Sequence, residues 1–146
     1  PIPEDALDLT QQMKAASYFM DTAMVGACEI PEVAWFTETE SGETVTPYHH
    51  NALVIVVEHV REPELDNLAS EWLRDAQSER AAVRAAEIAV TIAGYIRHLG
   101  WHAKSHSADK SDLDHELLTV CSGLWYAGKT AWSSIRFWDP DSARRW

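Results

Sequence analysis

The chain has 146 residues, of which 46% are apolar and 24% charged. That suits one domain with a sizeable core and ordinary soluble composition. Twelve Lys and Arg against 23 Asp and Glu leave a net charge of -11, which repels phosphate backbones and anionic headgroups and argues against nucleic acid or a membrane surface as partner. No uncharged apolar run of about 18 residues occurs, so no membrane span is expected. The acidic start PIPEDALDL lacks an apolar signal core, and a cytoplasmic location is expected. Pro1 in place of Met suggests a processed product or a piece of something longer.

In chain order, Asp8 or Thr10 can cap a first helix reaching about Met20, with Leu9, Met13, Ala16, Phe19 and Met20 on one stripe. Met24 to Ile30 reads as a short strand. Gly26 within it suggests close approach of another backbone. Pro31 opens a turn or short helix through Phe36, and Thr37 to Pro47 is a polar loop. Ala52 to Val57 (ALVIVV) is the clearest strand. Its continuous apolar, largely β-branched run implies burial on both faces and a central position. Leu65, Leu68, Ala69, Trp72 and Ala76 recur at helical spacing, which predicts a helix over Pro63 to Ala76.

Ser78 is a plausible N-cap for a central helix that is mostly apolar from Ala85 to Leu99. Ala85, Ile88, Ala89, Ile92, Ile96 and Leu99 form its buried stripe. Ala82, Ala86, Val90 and Ala93 on the flanks predict cover over most of its circumference. Gly100 ends it. Trp101 to His106 alternates like a strand. Ser111 can cap a last helix over roughly Leu113 to Ser122, with Leu113, Leu117, Leu118 and Cys121 inward and Gly123 as terminator. The expected fold class is α/β (α+β), a single domain with a sheet flanked by helices.

After residue 124 the composition changes. Trp125, Tyr126, Trp132, Phe137, Trp138 and Trp146 crowd together with Arg136, Arg144 and Arg145. One reading folds this stretch back over its own domain. The other makes it an interface, whose cores are rich in aromatics and Arg. The chain thus divides into a domain over 1–124 and an aromatic-rich tail over 125–146 that is a candidate interdomain or subunit contact. A second copy of the chain is among the partners such a surface admits.

Four constellations bear on chemistry. Gly123 to Thr130 matches the phosphate-binding pattern G-x-x-x-x-G-K-[ST] letter for letter. That loop needs a strand before it and free amides around the phosphate. Here a helix precedes it, Leu124, Trp125 and Tyr126 crowd it, and the short remaining tail leaves no room for a second strand with the magnesium-ordering carboxylate, so nucleotide binding is the weaker reading. His98, His102 and His106 are spaced by four, but Gly100 keeps them off one helical face. With His49, His50 and His115 they read as locally bonded rather than metal ligands. Asp109, Asp112, Asp114 and Glu116 read as a solvated turn and first-turn bias. Cys28 and Cys121 read as reduced, packed thiols. They cannot supply the four thiolates of an iron–sulfur cluster. The residues therefore name no catalytic group, no metal ligand and no cofactor-binding residue.

One resemblance goes further. Met24-Val25-Gly26-Ala27 resembles an early V-G-I strand, and Ala52 to Val57 the first long central strand, of the corrinoid-binding domain of reductive dehalogenases. The most specific match is AEIAxxIAxYIRxLGWxA, ending at Ala103, which is similar to that family's A-E-x-A-x-x-[IL]-A-x-[YF]-I-R-x-L-G-Y-x-A. Ser122-Gly123-Leu124 aligns with the start of its A-G-L-G-E-x-G-R segment. The resemblance spans Met24 to about Lys129. It implies a nitroreductase-like, cobalamin-binding-type sheet and a relationship to epoxyqueuosine reductase. The departures shape what else it implies. One glycine and the glutamate of that segment become Trp125 and Tyr126, large rings that obstruct close approach of a flat cofactor. The catalytic half and its eight cluster-ligating cysteines are absent from this sequence.

The implied role is the N-terminal module of a cobalamin-dependent reductive dehalogenase, a degenerate duplicated copy without catalysis of its own. Cobalamin and iron–sulfur clusters are then expected in the rest of the enzyme and not in this segment, with that catalytic domain or subunit as partner. An active corrinoid-binding domain is the alternative.

Overall fold

The computed structural model describes residues 6–39, 41–58, 70–73, 76–107, 110–124 and 132–137. Helix α1 (Ala6–Phe19) leads to strand β1 (Met24–Glu29), a single 3-10 turn at Glu32–Ala34, and strand β2 (Asn51–Val57). Then come a one-turn helix α2 (Ser70–Leu73), the long helix α3 (Ala76–His98), helix α4 (His115–Cys121) and strand β3 (Trp132–Phe137). The strands lie in the order β1-β2-β3, with both pairings antiparallel. Gly26 stands opposite Val54, and Val54 opposite Ile135.

β2 is the centre, as its composition predicts, and Ala52 through Val57 are all buried. The two-residue period of a strand sorts them to opposite faces. Leu53, Ile55 and Val57 join Leu9 and Met13 of α1 and Ala85, Ile88, Ile92 and Ile96 of α3 in one core. Ala52 and Val54 meet Ala34, Leu113 and Leu118 in a second. The sheet is thus covered by α1 and α3 on one face and by α4 and the 3-10 turn on the other. Both faces are covered although every pairing is antiparallel, which makes the architecture α+β. No helix among the described residues is long and apolar enough to cross a membrane.

Several boundaries differ from the reading of the residues alone. α1 starts at Ala6, so Asp8 and Thr10 lie inside it, and Phe19 is 89% exposed, off the buried stripe. α3 starts at Ala76, so Ser78 is an internal residue and not a cap. Ala85, Ile88, Ala89, Ile92 and Ile96 are buried as predicted, whereas Leu99 lies past the helix end and is partly buried. Of the predicted flanks Ala93 is buried, but Val90 is exposed, as is Val83, so the helix is covered along one side and not around most of its circumference. Gly100 ends it with φ +93, a conformation that costs glycine little.

Trp101 to His106 joins no described strand. It is held instead by Trp101 N–H donating to Ile96 O and Arg97 Nη1 donating to Ala103 O at 2.8 Å. The cap of α4 is Asp114, whose carboxylate accepts from Leu117 N–H at 3.0 Å, and not Ser111. Cys121 faces solvent.

Of the stretch expected to be helical from Pro63, Ser70–Leu73 is helical and Trp72 points outward; 59–69 and 74–75 lie outside the described residues. Beyond residue 124, Trp132–Phe137 forms β3 and completes the sheet against β2, so these six residues fold back on their own domain. A strand thus does form after Gly123 to Thr130, but its six residues, WSSIRF, include no carboxylate that could order a magnesium ion.

Candidate functional site

Three connections converge at one end of the molecule: residues 48–50 before β2, 101–106 after Gly100, and 111–114 before α4. Together they bring Tyr48, His49, His102, Lys104, His106 and Asp112 into one cluster. Tyr48 Oη donates to Asp112 Oδ2 at 2.6 Å, and Lys104 Nζ donates to the same oxygen at 2.6 Å. The ammonium also lies 4.7 Å from the centroid of the Tyr48 ring. Trp35 packs edge-on to that ring at 4.8 Å.

His106 closes the circuit. Its Nδ1 accepts from Asp112 N–H at 3.4 Å, with Ser111 Oγ also 3.4 Å away. An accepting Nδ1 in a neutral imidazole leaves the proton on Nε2. That N–H then donates to Tyr48 Oη, 3.1 Å away. The ring therefore runs in one direction: Asp112 N–H to His106, His106 to Tyr48, Tyr48 to the Asp112 carboxylate. Beside it, His49 Nε2 and His102 Nδ1 are 3.1 Å apart. His49 and His106 are buried.

This arrangement sets the protonation states firmly. Burial, with help from the Lys104 charge, pushes His106 down to about 3 against the pull of Asp112. Burial and the bond to Asp112 hold Tyr48 well above its ordinary range. Burial pulls Asp112 upward, but the Lys104 and Tyr48 hydrogen bonds outweigh it and keep the carboxyl below the usual range. At neutral pH these are a neutral imidazole, a neutral phenol and a carboxylate. None of the three titrates near pH 7, where an acid–base catalyst works best. The cluster is suited to holding three loops in register.

The expected site residues are distributed differently. Trp125, Tyr126, Trp138 and Trp146 lie outside the described residues. Trp132 and Phe137 occupy the two ends of β3, opposite Val57 and Ala52. The phosphate-binding pattern also falls mostly outside them, but the segment before it is helix α4, where such a loop needs a strand. His98, His102 and His106 do not share a helix, because α3 ends at His98. Among the described residues no three His, Cys, Asp or Glu side chains converge as metal ligands.

Asp112 is a correction. It looked like part of a solvated turn, yet its side chain is only 16% exposed and accepts two hydrogen bonds. Tyr48 and Lys104 carried no signal of their own. The only sequence trace is that Lys104, His106 and Asp112 flank the polar turn at 107–110.

Cys28 and Cys121 are both free thiols. Cys28 is half-buried, donates weakly to Leu118 O at 3.8 Å, and is pushed up to about 11 by burial and by the proximity of Cys121.

No family profile matches the chain, and no curated protein does. Solved structures do. The catabolic reductive dehalogenase NpRdhA superposes with a TM-score of 0.74 and 27% identity over 96% of this chain. A reductive dehalogenase whose structure suggests a mechanism for B12-dependent dehalogenation gives 0.75 and 27% over 96%. This chain is similar to cobalamin-dependent reductive dehalogenases. NpRdhA in complex with 3-bromo-4-hydroxybenzoic acid matches at 0.75 and 25% identity over 87% of the chain. In each case the chain spans 20% of the neighbour's length. The resemblance carried by the segment ending at Ala103 and the structural likeness therefore point to the same proteins.

Proposed function

We propose that this chain is the N-terminal, structural and non-catalytic module of a cobalamin-dependent reductive dehalogenase. In this reading it is a degenerate duplicate of the corrinoid-binding domain, nitroreductase-like in fold and related to epoxyqueuosine reductase, and it works in the cytoplasm. The observation that carries the reading is the match of 96% of the chain to only 20% of a reductive dehalogenase. A corrinoid and iron–sulfur clusters then belong to the remaining part of the enzyme.

The close packing at Gly26 supports the reading of a copy without a corrin site. A Cβ added to Gly26 would lie 2.7 Å from Ser122 Cβ and 2.8 Å from Leu124 Cγ, so β1 and the end of α4 are closed on each other. The polar side chains at Tyr48 are likewise hydrogen-bonded to one another. The test is a titration of the purified chain with cobalamin, followed in the visible spectrum. An unchanged spectrum is expected; a shifted one would mean an active corrinoid-binding domain.

Trp125, Tyr126, Trp132, Phe137, Trp138 and Trp146 are proposed as the contact with the catalytic part. Removing everything after residue 124 would strip β3 from β2, so point changes are the cleaner test. Trp138→Ala with Trp146→Ala is expected to weaken association with the separately expressed catalytic part, measured by size-exclusion chromatography. Undiminished association would remove the contact from these two residues.

A further inference from the structure

We propose that Cys28 and Cys121 form an oxidation-dependent disulfide that fastens β1 to α4. The inference is independent of the function proposed above. The two cysteines are 93 positions apart in the numbering, yet the fold sets Cys28 against the last turn of α4, where Cys121 lies. Cys28 Sγ lies 3.8 Å from the carbonyl of Leu118. That carbonyl also accepts from Ser122 N–H at 2.9 Å, so it belongs to the last turn of α4, the turn that contains Cys121. Two residues earlier on the same face of β1, Gly26 has no room for a side chain against Ser122. The strand and the end of α4 are therefore packed against each other at Gly26 and again at Cys28, in the turn that carries Cys121.

Exposure divides the labour. Cys121 is exposed and Cys28 half-buried. An exposed thiol meets a peroxide first. The Cys121 thiolate attacks hydrogen peroxide, giving the sulfenic acid and hydroxide. Cys28 sulfur then attacks the Cys121 sulfur, the S–O bond breaks, and the Cys28 proton leaves with the hydroxyl as water. Two thiols are oxidised and one peroxide is reduced to two waters, once the first hydroxide takes up the proton released by Cys121. A thiol reductant reverses the bond.

The experiment treats the reduced chain with hydrogen peroxide, blocks residual thiols with an alkylating agent, and maps peptides by mass spectrometry. The expected product is a peptide pair joined through Cys28 and Cys121, lost on reduction and formed in a yield independent of protein concentration. In Cys28→Ser, Cys121 is expected to progress to sulfinic and sulfonic acids, because the resolving sulfur is gone. Two results would overturn the proposal: Cys28 fully alkylated while Cys121 over-oxidises in the wild-type chain, or Cys121 paired only between molecules.

Discussion

Gly26 and Ser122 meet so closely that the strand and the helix end share no space for one methyl group. A Cβ at position 26 would sit 2.7 Å from Ser122 Cβ and 2.8 Å from Ser122 O. The second of these is backbone, which cannot rotate away. The glycine is required by proximity, since its φ is not among the positive values of the chain.

Gly26→Ala is accordingly expected to destabilise the fold by about 1–3 kcal/mol, the usual cost of forcing atoms into a packed interior. A lower denaturant midpoint with an unchanged slope would show it. Pairing the change with Ser122→Gly should recover only part of the loss, because the backbone carbonyl stays in place.

Tyr48→Phe removes a donor to Asp112 and the acceptor of the His106 N–H. A hydrogen bond to a charged group contributes about 1.5–3 kcal/mol, and a buried donor left facing a ring adds to the loss. Urea unfolding should show a loss of that order. Lys104→Met is expected to cost less, since its side chain is half-exposed. Equal stability of Tyr48→Phe and wild type would mean that the ring does not hold the loops.

The pH dependence has a definite sign. His106 is held down to about 3 in the fold against an ordinary 6.5, so the unfolded chain binds its proton first. The stabilising preference for neutral His106 is full above 6.5 and is lost progressively as pH falls toward 3. Across that window this group alone contributes a slope approaching about 1.4 kcal/mol per pH unit. Stability curves measured from pH 7 to 4 should be flatter in His106→Gln than in wild type. Parallel curves would assign the acid sensitivity elsewhere.

α3 offers a paired test of its buried side. Ile92 is 1% exposed and Val90 56%. Ile92→Ala is expected to cost about 2–5 kcal/mol through lost burial and a cavity. Val90→Ala should stay within about 0.5 kcal/mol, as surface changes do. Thermal or urea unfolding of the two variants decides it.

The sequence by itself determined the parts governed by short-range regularity. β2 was legible because six consecutive apolar residues leave no polar face. The inward stripe of α3 was legible because its isoleucines and alanines repeat at helical spacing, and Gly100 because a terminating left-handed residue has a local cause. Gly26 was legible as a close approach, though not what approaches it. Only the tertiary structure decided the rest. Whether Val90 is covered, whether Trp101 to His106 finds a strand partner, and whether Asp114 or Ser111 caps α4 all depend on neighbours distant in sequence. The same holds for the Tyr48–His106–Asp112 ring, drawn from three loops, and for Cys28 against the last turn of α4. Hydrogen bonding and burial in these places are properties of pairs, and a pair separated by 58 or 64 positions leaves no periodic trace in either partner's neighbourhood.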